Sequence, residues 1–263
     1  VTFALALLAA SKPFEVPSAG ELFNYETLFN IGPLEVTYPT LVMFGVTALL
    51  ALFFLKAFAR PKVVPTGSQN LAEAGIEFVT KQITGPVLGE EAIRWTPYLT
   101  IVFFWVLLLN LMGIIPGVQF PITSRTAYPA LLAVIAWVIY NAIGIKNQGP
   151  IGYFKNMMFP PGVPVLVYFI LAPIELISTI IIRPATLALR LFANMVAGHM
   201  LLTVLFLSAG VFFASGIGKA TFILPFGFGV IFMGFEIFVA FMQAFIITIL
   251  MAVYIAGAQK AHH

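Results

Sequence analysis

A chain of 263 residues that is 61% hydrophobic, only 9% charged and carries a net charge of +3 falls outside the range of soluble globular domains and inside that of multispanning membrane proteins. Its ten acidic residues are all glutamates and no basic run is present, so the pI near 9.2 is not a nucleic-acid signal and no such partner is expected. Zero cysteines exclude disulfides and thiolate chemistry, and three histidines, two of them the terminal His262 and His263, offer no metal cage, so neither metal nor cofactor is expected.

In chain order, the opening VTFALALLAASKP reads as the remnant of a trimmed leader or a short amphipathic start. Residues 1–37 are taken as an external segment and 38–263 as a single polytopic membrane domain. Apolar windows of about 20 residues are long enough to cross a bilayer core, and they are expected at about 38–59, 97–117 and 127–145. Between the first two, residues 68–93 mix charges with Leu71, Ile76, Phe78, Val79 and Ile83 at helical spacing, which predicts an amphipathic helix on the membrane surface. Two further apolar runs, about 163–214 and 220–257, are too long for one perpendicular span. Each must tilt, break or lie partly along the membrane, with Pro173 and Pro184 as bend points.

Lys56, Arg60, Lys62, Lys81, Arg94, Lys146, Lys155 and Lys260 fall on one side of this topology; Lys12, Arg125 and Lys219 fall on the other. The positive-inside rule assigns the first group, and the C-terminus, to the cytoplasm. The fold class expected is an all-α membrane protein.

The chemistry concentrates in RPATLALRLFANMVAGHM, residues 183–200. An arginine at the centre of an inserted helix costs roughly 2.5–3.5 kcal/mol on insertion scales, so such residues face protein or a wet cavity. Arg183, beside Pro184, suits snorkelling to an interface; Arg190 has long apolar sequence on both sides. Thr186, Arg190, Asn194 and Ala197 share one helical face, which suits either a functional surface or an ordinary small-residue packing seam. His199 projects from roughly the opposite side. In the last run Glu236 and Gln243 are seven residues apart, hence on one face. If the last two runs pair as a hairpin, His199 and Glu236 meet, either as a protonatable pair or as a structural hydrogen bond. Glu175 lies about 22 Å before Arg190 along a straight helix and reads either as a carboxylate at the cytoplasmic entrance or as an interfacial group held by headgroup water. Asn110, Tyr140 and Asn141 are read as groups that hold helices together. No phosphate loop, zinc spacing or catalytic triad is visible, so an enzyme is not expected.

RPATLALRLFANMVAGH and EIFVAFMQAFIITILMAVYI, supported by NLMGIIPG at 110–117 and FPPGVP at 159–164, resemble subunit a of the rotary ATP synthases over most of residues 38–258. The resemblance implies a spanning helix, a surface helix, a spanning hairpin and two long tilted helices curved around a c-subunit ring. It implies a non-catalytic, proton-conducting stator that works with that ring, the peripheral-stalk b subunits, other ATP synthase subunits and lipid in an energy-transducing membrane, here the bacterial plasma membrane. By position it makes Arg190 the essential arginine facing the ring carboxylates and puts Asn194 beside the proton path. His199, Glu236 and Gln243 match the outer half-channel, and Glu175 approximates the cytoplasmic one. His199 and Glu236 stand exchanged relative to many bacterial members, as they do in mitochondrial ones. The alternative from the residues alone is a secondary transporter in which Arg190 binds an anionic substrate, or a membrane anchor in which buried charges fix assembly.

Overall fold

The computed structural model describes residues 27–31, 34–115, 127–159, 165–214 and 222–259. The opening VTFALALLAASKP, the loop carrying Arg125, most of FPPGVP, the Lys219 loop and the terminal histidines lie outside them, and with them much of the expected external segment.

A short antiparallel ribbon leads in: β1 (Thr27–Ile31) pairs with β2 (Leu34–Thr37). Most of the rest of the described chain is helical. After α1 (Tyr38–Phe58) come α2 (Ser68–Val79), a π turn (Thr80–Thr84), the one-turn α3 (Gly85–Leu88), a 3₁₀ turn (Gly89–Glu91) and α4 (Ala92–Met112). Then follow α5 (Ala127–Gln148), α6 (Pro150–Met158), α7 (Val165–Ile177), a second π turn (Ser178–Ile182), α8 (Arg183–Ala214) and α9 (Ile223–Gln259). Among the described residues five helical runs are long and apolar enough to cross a membrane: Tyr38–Phe58, Ser68–Met112, Ala127–Gln148, Val167–Phe213 and Ile223–Gln259. This is an all-α membrane protein with one small β ribbon.

Both π turns have the same cause. A proline cannot donate to the ladder, and its ring crowds the preceding turn. Pro86 and Pro184 each follow a π turn by two residues, and the residue before each proline donates to the carbonyl five residues back: Gly85 to Thr80 and Arg183 to Ser178. One wide turn thus absorbs the proline without ending the helix. Pro173, also expected as a bend point, sits inside α7.

In the amphipathic stretch some of the apolar residues pack within the protein and others stand outward. Val79 and Ile83 are buried, but Leu71 is 66% exposed and Ala72 takes the inward position, with Gln69 beside it. The Gln69 amide closes onto the chain before the helix, donating to the Lys62 carbonyl and accepting from the Lys62 N–H. The small Ala72 keeps the helix close to its support, where Leu71 would project away.

The fold divides into two compact units, and four long helices contribute residues to both. The first takes the described residues within Val1–Ala48, Leu107–Arg125 and Leu191–Gln243. Within it, α8 and α9 run as an antiparallel hairpin: Phe213 meets Phe222, Phe206 meets Phe226 and Gly229, and Gly198 meets Glu236. The second takes the described residues within Leu49–Val106, Thr126–Arg190 and Ala244–His263. There α4 buries Leu99, Val102, Phe103 and Val106 along one stripe, Phe103 meets Phe78 of α2, and the Thr84 and Thr96 hydroxyls, both buried, bond at 2.7 Å.

Candidate functional site

Of the six candidate residues, Asn194, His199, Glu236 and Gln243 belong to the first unit, and Glu175 and Arg190 to the second.

In the first unit the hairpin brings the Glu236 carboxylate directly against Gly198, the residue before His199. A Cβ at position 198 would stand 3.0 Å from the carboxyl carbon and nearer still to Oε1, so the close approach requires glycine. His199 is half-buried and lines a small cavity of about 20 Å³ with Gly113, Thr203 and Met233. Met233 lies three residues before Glu236, one turn away on the same face. That volume holds about one water. Gly113 lets the Met195 side chain enter the space that a Cβ would fill. Gln243 is buried, and its amide nitrogen has no acceptor among the described residues, a condition that native structures keep for positions with a further partner or role. The expected hairpin is therefore present, with Glu236 one residue from His199 across it.

In the second unit α8 starts at Arg183, and Leu187 is buried while Thr186, Leu189 and Arg190 are exposed. Farther along the same helix Leu191 and Met195 are buried, Ala193 and Ala197 are exposed, and Asn194 is half-buried. The small polar face is thus the uncovered one. Among the described residues Arg190 makes no hydrogen bond or ion pair.

Arg183 departs from its expected snorkelling role. It pairs with Glu175, and its guanidinium lies 5.3 Å from the Tyr254 ring centroid. Glu175 is held by this arginine and by a long 3.5 Å contact from the Thr179 hydroxyl. Residues eight apart on a plain α-helix stand about 80° out of phase. The intervening π turn rotates less per residue and draws the two toward one line.

The same π turn orphans a carbonyl. The N–H of Arg183 goes to Ser178 and Pro184 has none, so the Thr179 carbonyl has neither an α- nor a π-register donor. Thr179 is 1% exposed, and an unsatisfied carbonyl inside a membrane costs several kcal/mol. Two side chains of α5 satisfy it: Tyr140 Oη donates at 2.8 Å and Trp137 Nε1 at 3.1 Å. Tyr140 and Asn141, read from the sequence as helix-holding groups, do hold helices. Asn141 Oδ1 accepts from the Tyr153 hydroxyl of α6 at 3.0 Å. Burial raises the Tyr153 pKa above the ordinary tyrosine value, against the opposing pull of the Arg183 charge, so its hydroxyl stays a neutral donor. The sequence reading missed Gly198, the Arg183–Glu175 pair and the role of Thr179. Glycine next to His199 and proline next to Arg183 were the available signals.

The ATP synthase A chain family matches residues 40–256. The ATP synthase subunit a of Frankia alni is 42% identical over 261 residues, covering 95% of this chain and 87% of its own length. That of Rhodococcus erythropolis is 41% identical over 264 residues, covering 99% and 95%, and that of Rhodospirillum rubrum 38% over 228 residues, covering 86% and 90%. With a match that spans all five apolar runs and relatives aligned along nearly their whole length, the chain belongs to the ATP synthase A chain family, that of ATP synthase subunit a.

Proposed function

We propose that this chain is the proton-conducting stator of an ATP synthase, with two offset half-channels that load and unload protons on carboxylates of a rotating c-subunit ring. Family membership makes it a membrane subunit that works with other ATP synthase subunits. The ring as direct partner, the peripheral-stalk b subunits, the bacterial plasma membrane and a cytoplasmic C-terminus are our additions. The observation that carries the reading is the uncovered face of α8, where Arg190 has no anionic partner among the described residues. A guanidinium in an apolar span needs an anion or water, and a ring carboxylate supplies the anion.

In this reading a proton arrives from outside past Glu236 and His199, with Gln243 and Asn194 along the path, and neutralises a ring carboxylate that then turns into lipid. After rotation it leaves by the cytoplasmic path near Glu175. Arg190 separates the two paths. A guanidinium stays charged, so it draws the arriving carboxylate into its ionised form and offers no proton to relay. Each charge crossing 100 mV yields about 2.3 kcal/mol, so several protons must pass for each ATP made.

The test is Arg190→Ala and Arg190→Lys in the complete, reconstituted ATP synthase at matched assembly. We expect Ala to abolish ATP-driven acidification while leaving a passive proton leak, because nothing then keeps one carboxylate from exchanging with both sides. Lys should couple incompletely, since its ammonium is more strongly hydrated and deprotonates when desolvated. Wild-type pumping by Arg190→Ala would sink the separator role.

A further inference from the structure

In the second unit the start of α4 and the end of α5 enclose, with the end of α9, a cavity of about 200 Å³ lined by Arg94, Trp95, Lys146, Asn147 and Gln259. We propose that this cavity binds the phosphate of an anionic membrane lipid. Arg94 and Lys146 stand at the ends of spanning helices, and neither is paired with a carboxylate among the described residues. Arg94 instead lies over the Trp95 ring, 5.6 Å from its centroid. Two cations held to one cavity repel each other unless an anion sits between them.

The second observation is a donor with nothing to bind. Trp95 Nε1 is buried and has no acceptor among the described residues, a condition native structures seldom leave uncompensated. The Trp95 side chain lines the cavity, and Asn147 and Gln259 add amide groups around the same space. Gln259 also reaches Glu91 Oε2, at 3.5 Å. That carboxylate opposes a free anion at the rim but leaves the Arg94–Lys146 side open.

The third observation separates a lipid from a free ion. Beside the cavity the helices carry apolar side chains turned outward: Ile93 is 87% exposed, Ile101 50% and Val138 50%. Acyl chains descending from a phosphate held by Arg94 and Lys146 cover this surface. Basic pockets between spanning helices on the positively charged side of a membrane are suited to anionic headgroups, and tryptophan belongs at that depth.

The experiment uses the complete ATP synthase in phosphatidylcholine vesicles doped with a photoactivatable phosphatidylglycerol, its adducts mapped by peptide mass spectrometry. Adducts are expected on the peptides bearing Ile93–Ile101 and Val138–Lys146. Arg94→Gln with Lys146→Gln should lower them roughly thirtyfold, from about a tenfold change per 1.4 kcal/mol and the usual worth of two juxtamembrane cations. Arg60→Gln with Lys62→Gln, an equal charge loss on exposed residues elsewhere, should leave them unchanged. A photoactivatable phosphatidylcholine that labels the wild type equally would overturn the proposal. So would labelling unaffected by the Arg94 and Lys146 changes, or equally reduced by the control pair. Displacement of the lipid by millimolar inorganic phosphate would make the cavity a free-phosphate site and likewise overturn it.

Discussion

Gly198→Ala is the substitution that best isolates the outer proton path from the stability of the fold. Ordinary van der Waals contact begins near 3.4 Å, and the new Cβ would find the Glu236 carboxyl carbon at 3.0 Å, with Oε1 in front of it. The backbone need not move, because the obstacle is the far end of a flexible side chain. Swinging that end aside costs about 0.5–1.5 kcal/mol if it leaves its rotamer, and alanine returns about 1 kcal/mol over glycine in a helix interior. The two nearly cancel, so assembly and thermal stability should stay within about 1 kcal/mol of wild type. The carboxylate, however, is displaced from its place against residue 198. Misplacement of a reacting group by about 1 Å can cost on the order of a hundredfold in rate, so ATP-driven proton pumping should fall by about tenfold to a hundredfold at unchanged assembly. Gly227→Ala is the control, because a Cβ there meets nothing within 4 Å. Pumping at the wild-type rate in fully assembled Gly198→Ala complexes would refute the reasoning. Loss of assembly would refute it differently, by showing that the hairpin cannot absorb the methyl.

Three more outcomes are expected. Tyr140→Phe and Trp137→Phe should each lower the thermal stability of the solubilised complex by about 1 kcal/mol, and the pair should cost more than the sum, because only the pair orphans the buried Thr179 carbonyl; strict additivity counts against it. Exchanging His199 and Glu236 should retain more pumping than either Ala variant, and an exchange as damaging as the worse single change would deny a shared role. Glu175→Gln should cost under about 1 kcal/mol in stability, since both partners of its ion pair are about one-third exposed, yet it should slow ATP-driven pumping; an unchanged rate would remove Glu175 from the proton path.

The spans were legible because lipid leaves a chain few choices. A run of about twenty apolar residues in lipid becomes a helix, as over Val165–Ile177, Arg183–Ala214 and Ile223–Gln259. What failed were features set by local geometry. A proline announces disturbance but not whether the helix kinks or widens by a residue, and that choice decides which side chains share a face. Phased as plain α-helix, Glu175 and Arg183 stand apart; with the π turn they pair. The β ribbon before α1 gave no apolar run and so no signal. Among the site residues, side-chain type and spacing pointed to Glu236 and His199, but the requirement for glycine at 198, against Glu236, emerges only when the hairpin is seen.

The two arginines of α8 illustrate how one helix can hold two identical charges and give them different duties. Positions 183 and 190 are seven apart, within about 20° of the same face, so by helical phase alone an arriving carboxylate is offered two equivalent partners. The structure removes the equivalence. Arg183 is already answered by Glu175 and by the Tyr254 ring, and the π turn that makes this pairing possible is held by Trp137 and Tyr140. Arg190, two turns on, has none of these and lies exposed. A mobile anion crossing this face therefore finds one uncompensated charge rather than two, and one stopping point rather than a choice. A separator between half-channels has to be singular, because a second free guanidinium would hold a carboxylate in its ionised form out of register with the first. On the proposed mechanism, the ion pair at Glu175 serves coupling even where it adds little to stability, by keeping Arg183 from competing.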